Sequence, residues 1–304
     1  MRTFTFKGLF LTVVFMLLGC LSIQAADDDL ITKQITIKLD KAGTLTGKIG
    51  SSKMYKITNL KIIGKINGTD LRMIREMAGN NYNGDSTKGN LSVLDLSEAR
   101  IVEGGDDYFY RNGICYTSND VIGSYAFYGC SRLTSINLPA SITSIGHDAF
   151  TGCCGLTSLN LPADITSIDK YAFSGCSRLT SLTLPAGITS IGEFAFSYCS
   201  GLTSIYVYAE KVPRIGRYAF EGCASRKCTL YVPKGTYDNY RLSEFGYFEN
   251  IVEFDATGID KTTTSTDVEE VSRYSLNGQR LVGPTKGLNI VKYSDGSVKK
   301  VAVE

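Results

Sequence analysis

The side chains best suited to chemistry are one histidine and nine cysteines, and the histidine stands in an unpromising place. His147 occupies a position of a repeated segment where other copies carry Ser124, Lys170, Glu193 and Arg217. A position that accepts all of these residue types is a solvent-exposed turn. A Ser-His-Asp or Cys-His arrangement would have only this exposed histidine, and a metal site would lack its commonest ligand. We therefore expect no catalytic, metal or cofactor site, and a hydrolase is the weakest hypothesis.

Charge argues against nucleic acid as a partner. The formal net charge is +2, and without Arg2 and Lys7 the basic and acidic residues balance at 30 each. No basic cluster interrupts this balance, so nothing predicts binding to a phosphate backbone. The segment from Gly43 to Lys48 is one residue short of the spacing of a phosphate-binding loop.

Five cysteines share one position of the repeat, three residues after an Ala-Phe pair. Neighbouring copies are mostly 23 residues apart. If the copies stack, these side chains lie parallel and about 4.8 Å apart, whereas a disulfide needs converging Cβ atoms about 3.8 Å apart. We predict a buried column of free thiols, the cysteine column: Cys130, Cys153, Cys176, Cys199 and Cys223. Outside the column, Cys115, Cys154 and Cys228 could pair with something.

The elements that position these side chains follow from the same repeat. Each copy carries Leu-x-x-Ile/Leu-x-Leu, as at Leu133, Ile136 and Leu138, and its alternation is typical of a strand with one buried face. A proline such as Pro139 ends the strand. A second apolar pair predicts a short strand or turn on the opposite wall, and a glycine then opens a tight helical turn. One such coil cannot bury its own apolar face, so the copies must stack into a solenoid with a parallel sheet.

Both ends of the solenoid need closing segments. Residues 27–120 are predicted to form an N-terminal cap that contains strands, a helix capped by Thr69 or Asp70, and a first strand repeat at Leu91, Leu94 and Leu96. Residues 121–255 carry the repeats and a C-terminal cap, with a short helix from Gly235 to Tyr240.

The first 26 residues are typical of a signal peptide, with an apolar core too short to span a bilayer. Ala25 offers one cleavage site, while Leu17-Leu18-Gly19-Cys20 resembles a bacterial lipobox with Cys20 as the lipidated residue. Both alternatives place the mature protein outside the cytoplasm, secreted or on the cell surface, with no membrane span.

An insertion from Glu103 to Asp120 separates the cap from the first full coil. Its aromatic residues include Tyr108 and Tyr110. Insertions in repeat proteins often lie on the binding face, so these tyrosines are candidate partner-binding residues. The alternative is a loop that packs its aromatic rings on the first coil.

A second candidate lies on the outer face of the predicted sheet. The outward positions are small and polar in three coils and become aromatic at Tyr206, Tyr208 and Tyr231. Tyrosine is favoured at interfaces, so this tyrosine face is a possible binding patch. In the alternative it shields the last coil against a closing segment near Tyr237 and Tyr240.

The end of the chain has a different composition. Residues 256–267 contain a Thr-rich stretch that reads as a linker. Residues 268–304 have strand-like pieces joined by Asn277-Gly278 and Asp295-Gly296, both good hairpin signals. They predict a small antiparallel β module.

The repeat Ile-Gly-x-x-Ala-Phe-x-x-Cys-x-x-Leu-Thr-Ser-Ile-x-Leu-Pro, as in residues 122–139, resembles that of the BspA-like leucine-rich repeat proteins of Gram-negative anaerobes. The resemblance covers about residues 33 to 255. It implies a surface or secreted protein that adheres to host proteins or other cells, without catalytic residues. A carbohydrate-binding accessory protein is the alternative, with glycans as partners. The tail around Tyr274 and Gly287 looks like a type IX secretion sorting domain.

Overall fold

The computed structural model describes residues 30–111, 113–256, 270–275, 279–281, 287–293 and 298–303. Over these ranges the chain forms stacked coils whose strands pair in parallel, followed by a small antiparallel sheet. The predicted solenoid fold is confirmed. The predicted leader with Cys20, most of the predicted linker and the two predicted hairpin turns lie outside the described residues.

The N-terminal part is joined to the coils by strand pairing. Its strands Ile35–Leu39 and Asn59–Ile66 are parallel neighbours, and the second also pairs with Val93–Asp95 and Ala99–Ile101. Val93–Asp95 then pairs with Ser135–Asn137 of the first full coil. The sheet therefore runs without a break from this part into the repeats.

Two helices complete the N-terminal part, Leu45–Ile49 and Gly68–Met77. The prediction placed the start of the longer helix at Thr69 or Asp70, but its N-cap is Asn67. The Asn67 side chain accepts a hydrogen bond from the Thr69 amide, and Asp70 accepts one from the Asn67 amide. This capping box satisfies amides that the first helical turn leaves free, so Asp70 acts inside the helix rather than before it.

One wall of the solenoid is built from strands with the predicted alternation. Equivalent residues lie opposite each other one repeat apart, as Leu159 does with Ile136. The hydrogen-bonded pairing is interrupted once, between the third and fourth strands of the series. The strands are Val93–Asp95, Ser135–Asn137, Ser158–Asn160, Ser181–Leu184, Ser204–Val207, Thr229–Pro233 and Asn250–Phe254.

The second apolar pair of each repeat forms a strand on the opposite wall. Each isoleucine of the series is aligned with that of the next coil, as Ile145 is with Ile168. The five parallel strands are Val121–Ile122, Ser144–Ile145, Ser167–Ile168, Ser190–Ile191 and Arg214–Ile215.

The segment that carries the Ala-Phe pair is a chain of hydrogen-bonded turns. Its bonds join residues three apart, as from the Ala126 amide to the Gly123 carbonyl. The phenylalanines form a continuous buried column. Their ring centroids are 5.0, 5.0, 5.2 and 5.5 Å apart and the planes differ by at most 12° along Phe127, Phe150, Phe173, Phe196 and Phe220.

The last coil is followed by a short helix, Tyr237–Arg241, and a 3-10 turn, Glu244–Tyr247. Tyr240 and Phe245 are buried there, so this segment closes the end of the core. Beyond it lies the C-terminal sheet, in which all described pairings are antiparallel. Its strands are Glu270–Ser275, Arg280–Leu281, Gly287–Tyr293 and Val298–Val303.

Candidate interaction surfaces

The structure places the cysteine column in the dry interior. All five thiols are free and buried. From the second coil onward each Sγ donates to the phenylalanine carbonyl of the coil before it, as Cys153 does to Phe127 at 3.1 Å and Cys199 to Phe173 at 3.2 Å. Burial raises the pKa of Cys130 to about 11. A protonated, buried thiol is a poor nucleophile, so the column serves packing.

The cysteines outside the column differ from one another. Cys115 is free and partly exposed, and Cys228 is free and buried. Burial raises the pKa of Cys228 to about 12. Cys154 is disulfide-bonded.

His147 lies on a surface turn, as predicted for its position. Its Nε2 is 2.8 Å from the Asp148 carboxylate, and its ring meets Tyr125 and Tyr171 edge to face. Asp148 also accepts a hydrogen bond from Thr151 at 2.6 Å. Within the described ranges no three His, Cys, Asp or Glu side chains are placed to hold a metal ion. The geometry around His147 is that of a side chain held in a turn.

A surface row of aromatic rings begins at Tyr125 and His147 and continues through Tyr171, Phe194 and Tyr218. The last three rings are stacked, with centroids 5.0 and 5.2 Å apart. Phe194 is stacked on both sides, whereas Tyr218 at the end of the row has one stacking partner within the described ranges and is 57% exposed.

The inner half of the insertion closes the open end of the first coil. Tyr108 is buried and its hydroxyl donates to the Ser124 carbonyl at 2.7 Å. Phe109 is buried beside it and packs on the Tyr125 and Tyr128 rings at 5.6 and 5.7 Å. Tyr108 therefore takes the packing role that was the alternative for this segment.

The outer half of the insertion contains a short hairpin of two antiparallel strands with exposed side chains. Its strands are Phe109–Tyr110 and Ile114–Cys115. Tyr110 is 55% exposed, Ile114 55% and Tyr116 58%. We call these three residues the hairpin tip. Tyr110 was singled out from the sequence; Ile114 was not, although an isoleucine in an otherwise polar turn is a usable signal.

Arg75 is a second residue that was not singled out from the sequence. It is fully buried in the long cap helix, with its guanidinium 4.1 Å from the centre of the Phe109 ring. It donates to the carbonyls of Tyr125 and Ala126 at 2.6 and 3.0 Å and to the Asn80 side chain at 2.6 Å. Arg75 follows Leu71 of the apolar stripe by four residues and so lies on the same helix face, and that spacing was the available signal.

The tyrosine face is covered. Tyr206 and Tyr231 are 5% and 6% exposed and stack with centroids 4.4 Å apart. Phe254 meets both Tyr206 and Tyr208 edge to face. Burial raises the pKa of the Tyr206 and Tyr208 phenols. The face is therefore not exposed as an open binding patch requires.

The cover also differs from the predicted one. Tyr240 turns inward and donates to the Ala209 carbonyl at 2.5 Å, and Tyr237 is exposed. The residues that pack with the tyrosine face are instead Phe254 and, from the C-terminal sheet, Ile290 and Val298. The contact of Ile290 and Val298 with the tyrosine face could not be predicted from the sequence, because the composition of the linker does not indicate where the C-terminal sheet lies.

The family comparison matches the part of the chain that carries the repeats. The family model for the BspA type leucine rich repeat region matches residues 114–235 in six copies. No curated protein matches the chain.

Three solved structures resemble the chain over part of its length. A leucine-rich repeat protein of T. pallidum is 27% identical, with 45% of this chain and 67% of that chain covered and a TM-score of 0.37. A leucine-rich repeat protein of Bacteroides ovatus is 24% identical, with 60% of this chain and 44% of that chain covered and a TM-score of 0.38. A leucine-rich cell surface protein of Faecalibacterium prausnitzii is 19% identical, with 90% of this chain and 57% of that chain covered and a TM-score of 0.32. The match thus spans less than two thirds of the second and third of these proteins. Six copies of one repeat model, lying on the coils described above, identify residues 114–235 as a leucine-rich repeat region of the BspA type.

Proposed function

We propose that this chain is an extracellular protein that binds other proteins through the hairpin tip, and that the binding serves adhesion. The observation that carries the proposal is the exposure of Tyr110, Ile114 and Tyr116, each more than half exposed, on one short hairpin. Tyrosine brings apolar area and a hydrogen-bonding hydroxyl with little loss of rotamer entropy. These two tyrosines and the apolar Ile114 together form the centre of a small protein-binding surface.

The tip is held rigidly from below. The Tyr110 amide donates to the Tyr82 carbonyl at 3.1 Å, and the two tyrosine rings stack with centroids 6.4 Å apart. Arg111 lies over the Tyr128 ring at 4.5 Å. A surface that is already ordered loses less conformational entropy on binding. The scaffold below the hairpin therefore favours affinity.

Two acidic side chains next to the hairpin, Asp106 and Asp107, have partners within the protein. Asp106 accepts a hydrogen bond from Thr69 at 3.0 Å, and Asp107 accepts one from the Tyr82 hydroxyl. Arg72 is 4.0 Å from Asp107. Since these charges already have partners, the tip itself presents mainly apolar area and hydroxyl groups. That chemistry fits a protein partner better than a strongly charged polymer.

The location of the protein belongs to the same proposal. The predicted leader, with cleavage near Ala25 or a lipid on Cys20, would place the chain outside the cytoplasm or anchor it to the outer cell surface. None of the helices in the described ranges is long and apolar enough to cross a bilayer. Partners would then be extracellular or host surface proteins, and the C-terminal module would serve export or anchoring.

A binding experiment separates protein partners from glycans. The full chain is tested on immobilised extracellular matrix proteins and on a glycan array, beside the triple variant Tyr110→Ser, Ile114→Ser, Tyr116→Ser. The matched control is Tyr198→Ser, Tyr218→Ser, Leu242→Ser, which removes three other exposed apolar side chains. Because a few central residues dominate an interface, we expect the tip variant to bind a matrix protein about tenfold more weakly or worse, and the control to bind normally.

Two outcomes contradict the proposal. Equal losses in the two triple variants would show general stickiness rather than a site. Binding on the glycan array without binding to any matrix protein would support the carbohydrate alternative.

A further inference from the structure

A small apolar cluster joins the last coils to the C-terminal sheet. It contains Tyr206, Tyr231 and Phe254 from the coils, with Ile290 and Val298 from the sheet. The cluster is separate from the main core of the solenoid. The contact therefore adds a packed layer outside a core that is complete without it.

One face of the C-terminal sheet makes this contact. Tyr274 lies opposite Ile290, and Ile290 lies opposite Lys300, on neighbouring strands. Directly opposed residues point to the same side of a sheet. Lys300 Nζ is 5.7 Å from the centre of the Tyr208 ring, within the range of a cation–π contact. The face thus offers aliphatic side chains and an ammonium group to the tyrosines.

We infer that the tyrosine face is a polypeptide-docking surface that the chain's own C-terminal sheet occupies as a reversible cover. What docks there is a pair of antiparallel β-strands with aliphatic side chains and a lysine, because that is the chemistry seen on the face now. The inference does not depend on the hairpin tip, which shares no residue with this surface. It describes a second docking surface that is closed until the cover leaves.

Two buried oxygen atoms that have no hydrogen-bond partner among the described residues, on the strands before that of Tyr206, support the inference that the cover can be exchanged. Thr183, which lies opposite Tyr206, has a buried hydroxyl without a hydrogen-bond partner within the described ranges. Asn160 Oδ1, at the equivalent position one coil earlier, is in the same state. A buried polar group without a partner costs free energy. Thr183 lies in the same outward row as Tyr206, so a ligand that bound the tyrosine face and also supplied hydrogen bonds to these two oxygens would compete with the cover.

The test uses the full chain and a synthetic peptide of residues 287–303 as the probe. The variant Ile290→Asp, Val298→Asp puts two carboxylates into the apolar cluster and should release the cover. The control is Leu242→Asp, Tyr237→Asp, which adds two carboxylates at exposed positions. We expect the peptide to bind the released variant at least about tenfold more tightly than the wild type or the control.

A second readout reports the cover itself. Hydrogen exchange at residues 204–207 and 229–233 should become faster in the released variant, and Tyr206 and Tyr208 should ionise at lower pH. Where the two carboxylates unfold the sheet instead of releasing it, a protease site placed at residues 262–266 of the otherwise unchanged chain allows the same measurement after cleavage. The cut sheet should then stay bound at high concentration and dissociate on dilution.

Three results would overturn the inference. Unchanged exchange and tyrosine ionisation after release would show that the sheet does not cover the face. An open face that fails to bind the peptide would show that it is not a docking surface. Loss of the solenoid's cooperative unfolding after cleavage would show that the sheet is an integral part of the fold.

Discussion

Arg75 donates a hydrogen bond to the carbonyl of Ala126 at 3.0 Å. It thereby supplies the donor that a preceding coil would provide inside the stack. Inside the stack the corresponding carbonyl, that of Ala149, accepts a hydrogen bond from the Phe127 amide of the preceding coil at 2.6 Å. The first coil has no predecessor with the same turn, so its Ala126 and Tyr128 carbonyls would have no donor without Arg75. Such groups are costly, and the guanidinium supplies several N–H donors from one side chain.

The first prediction concerns this arginine. Arg75→Met should lower the free energy of unfolding by about 3 kcal/mol or more, because it removes the donor to the Ala126 and Tyr128 carbonyls and to the Asn80 side chain. Arg72→Met is the matched control in the same helix. Arg72 is partly exposed, and its loss should cost about 1 kcal/mol or less. Urea unfolding measures both, and equal losses would contradict the capping role.

The second prediction separates the two halves of the insertion. Tyr108→Phe removes the hydroxyl that donates to the Ser124 carbonyl and should cost about 1–3 kcal/mol. Tyr110→Phe removes an exposed hydroxyl at the tip and should change stability by less than about 0.5 kcal/mol. Thermal unfolding compares the variants. A larger loss for Tyr110→Phe would mean that the roles of the two tyrosines are reversed.

The third prediction tests the ring column. Phe173 stacks between Phe150 and Phe196 at 5.0 and 5.2 Å, so Phe173→Ala leaves a cavity in the middle of the core. We expect a loss of about 3–5 kcal/mol. Tyr237→Ala, at an exposed position, should cost much less. If Phe173→Ala lowered the free energy of unfolding no more than Tyr237→Ala does, continuous stacking of the rings would be contradicted.

The fourth prediction is a pH dependence. Burial raises the pKa of Cys130 from 9.0 to about 11, so the folded state keeps a proton that the unfolded state loses. Below pH 9 both states hold the proton and the contribution to stability is complete. Between pH 9 and 11 stability should fall by up to about 1.4 kcal/mol per pH unit for this thiol.

Urea unfolding of the wild type and Cys130→Ala at several pH values between 8 and 11 isolates that contribution. The other titrating groups are present in both proteins, so the difference in slope reports Cys130 together with its effect on the neighbouring Cys153. Parallel slopes would show that this thiol is not protected.

The repeated part of the fold could be predicted because its information is local. A strand skeleton, a second apolar pair and a phenylalanine recur together, and stacking places like residues side by side, as Leu159 and Ile136 show. The start of the long helix was missed by two or three residues. Asn67 and Asp70 both bind its first amides, and the sequence does not say which of several polar residues lies outside the helix.

The surfaces were harder to predict because they depend on contacts between distant segments. Arg75 acts on a coil about 50 residues later in the chain, and nothing near it in the sequence indicates which carbonyls need donors. Tyr206 and Tyr231 read as outward-facing residues, which they are with respect to the solenoid. The sheet that covers them is connected by a segment whose composition carries no information on where it docks.

The stacking of coils is tested most directly by alkylation of the cysteine column, read residue by residue by mass spectrometry. The unreduced protein is treated with N-ethylmaleimide at neutral pH, first folded and then in denaturant. We predict that Cys130, Cys153, Cys176, Cys199 and Cys223 stay unlabelled in the folded protein and all react once it is unfolded. Cys115, which is partly exposed, should react earlier. Rapid labelling of the five in the folded protein, or their absence as thiols after unfolding, would contradict a solenoid with a shared dry interior.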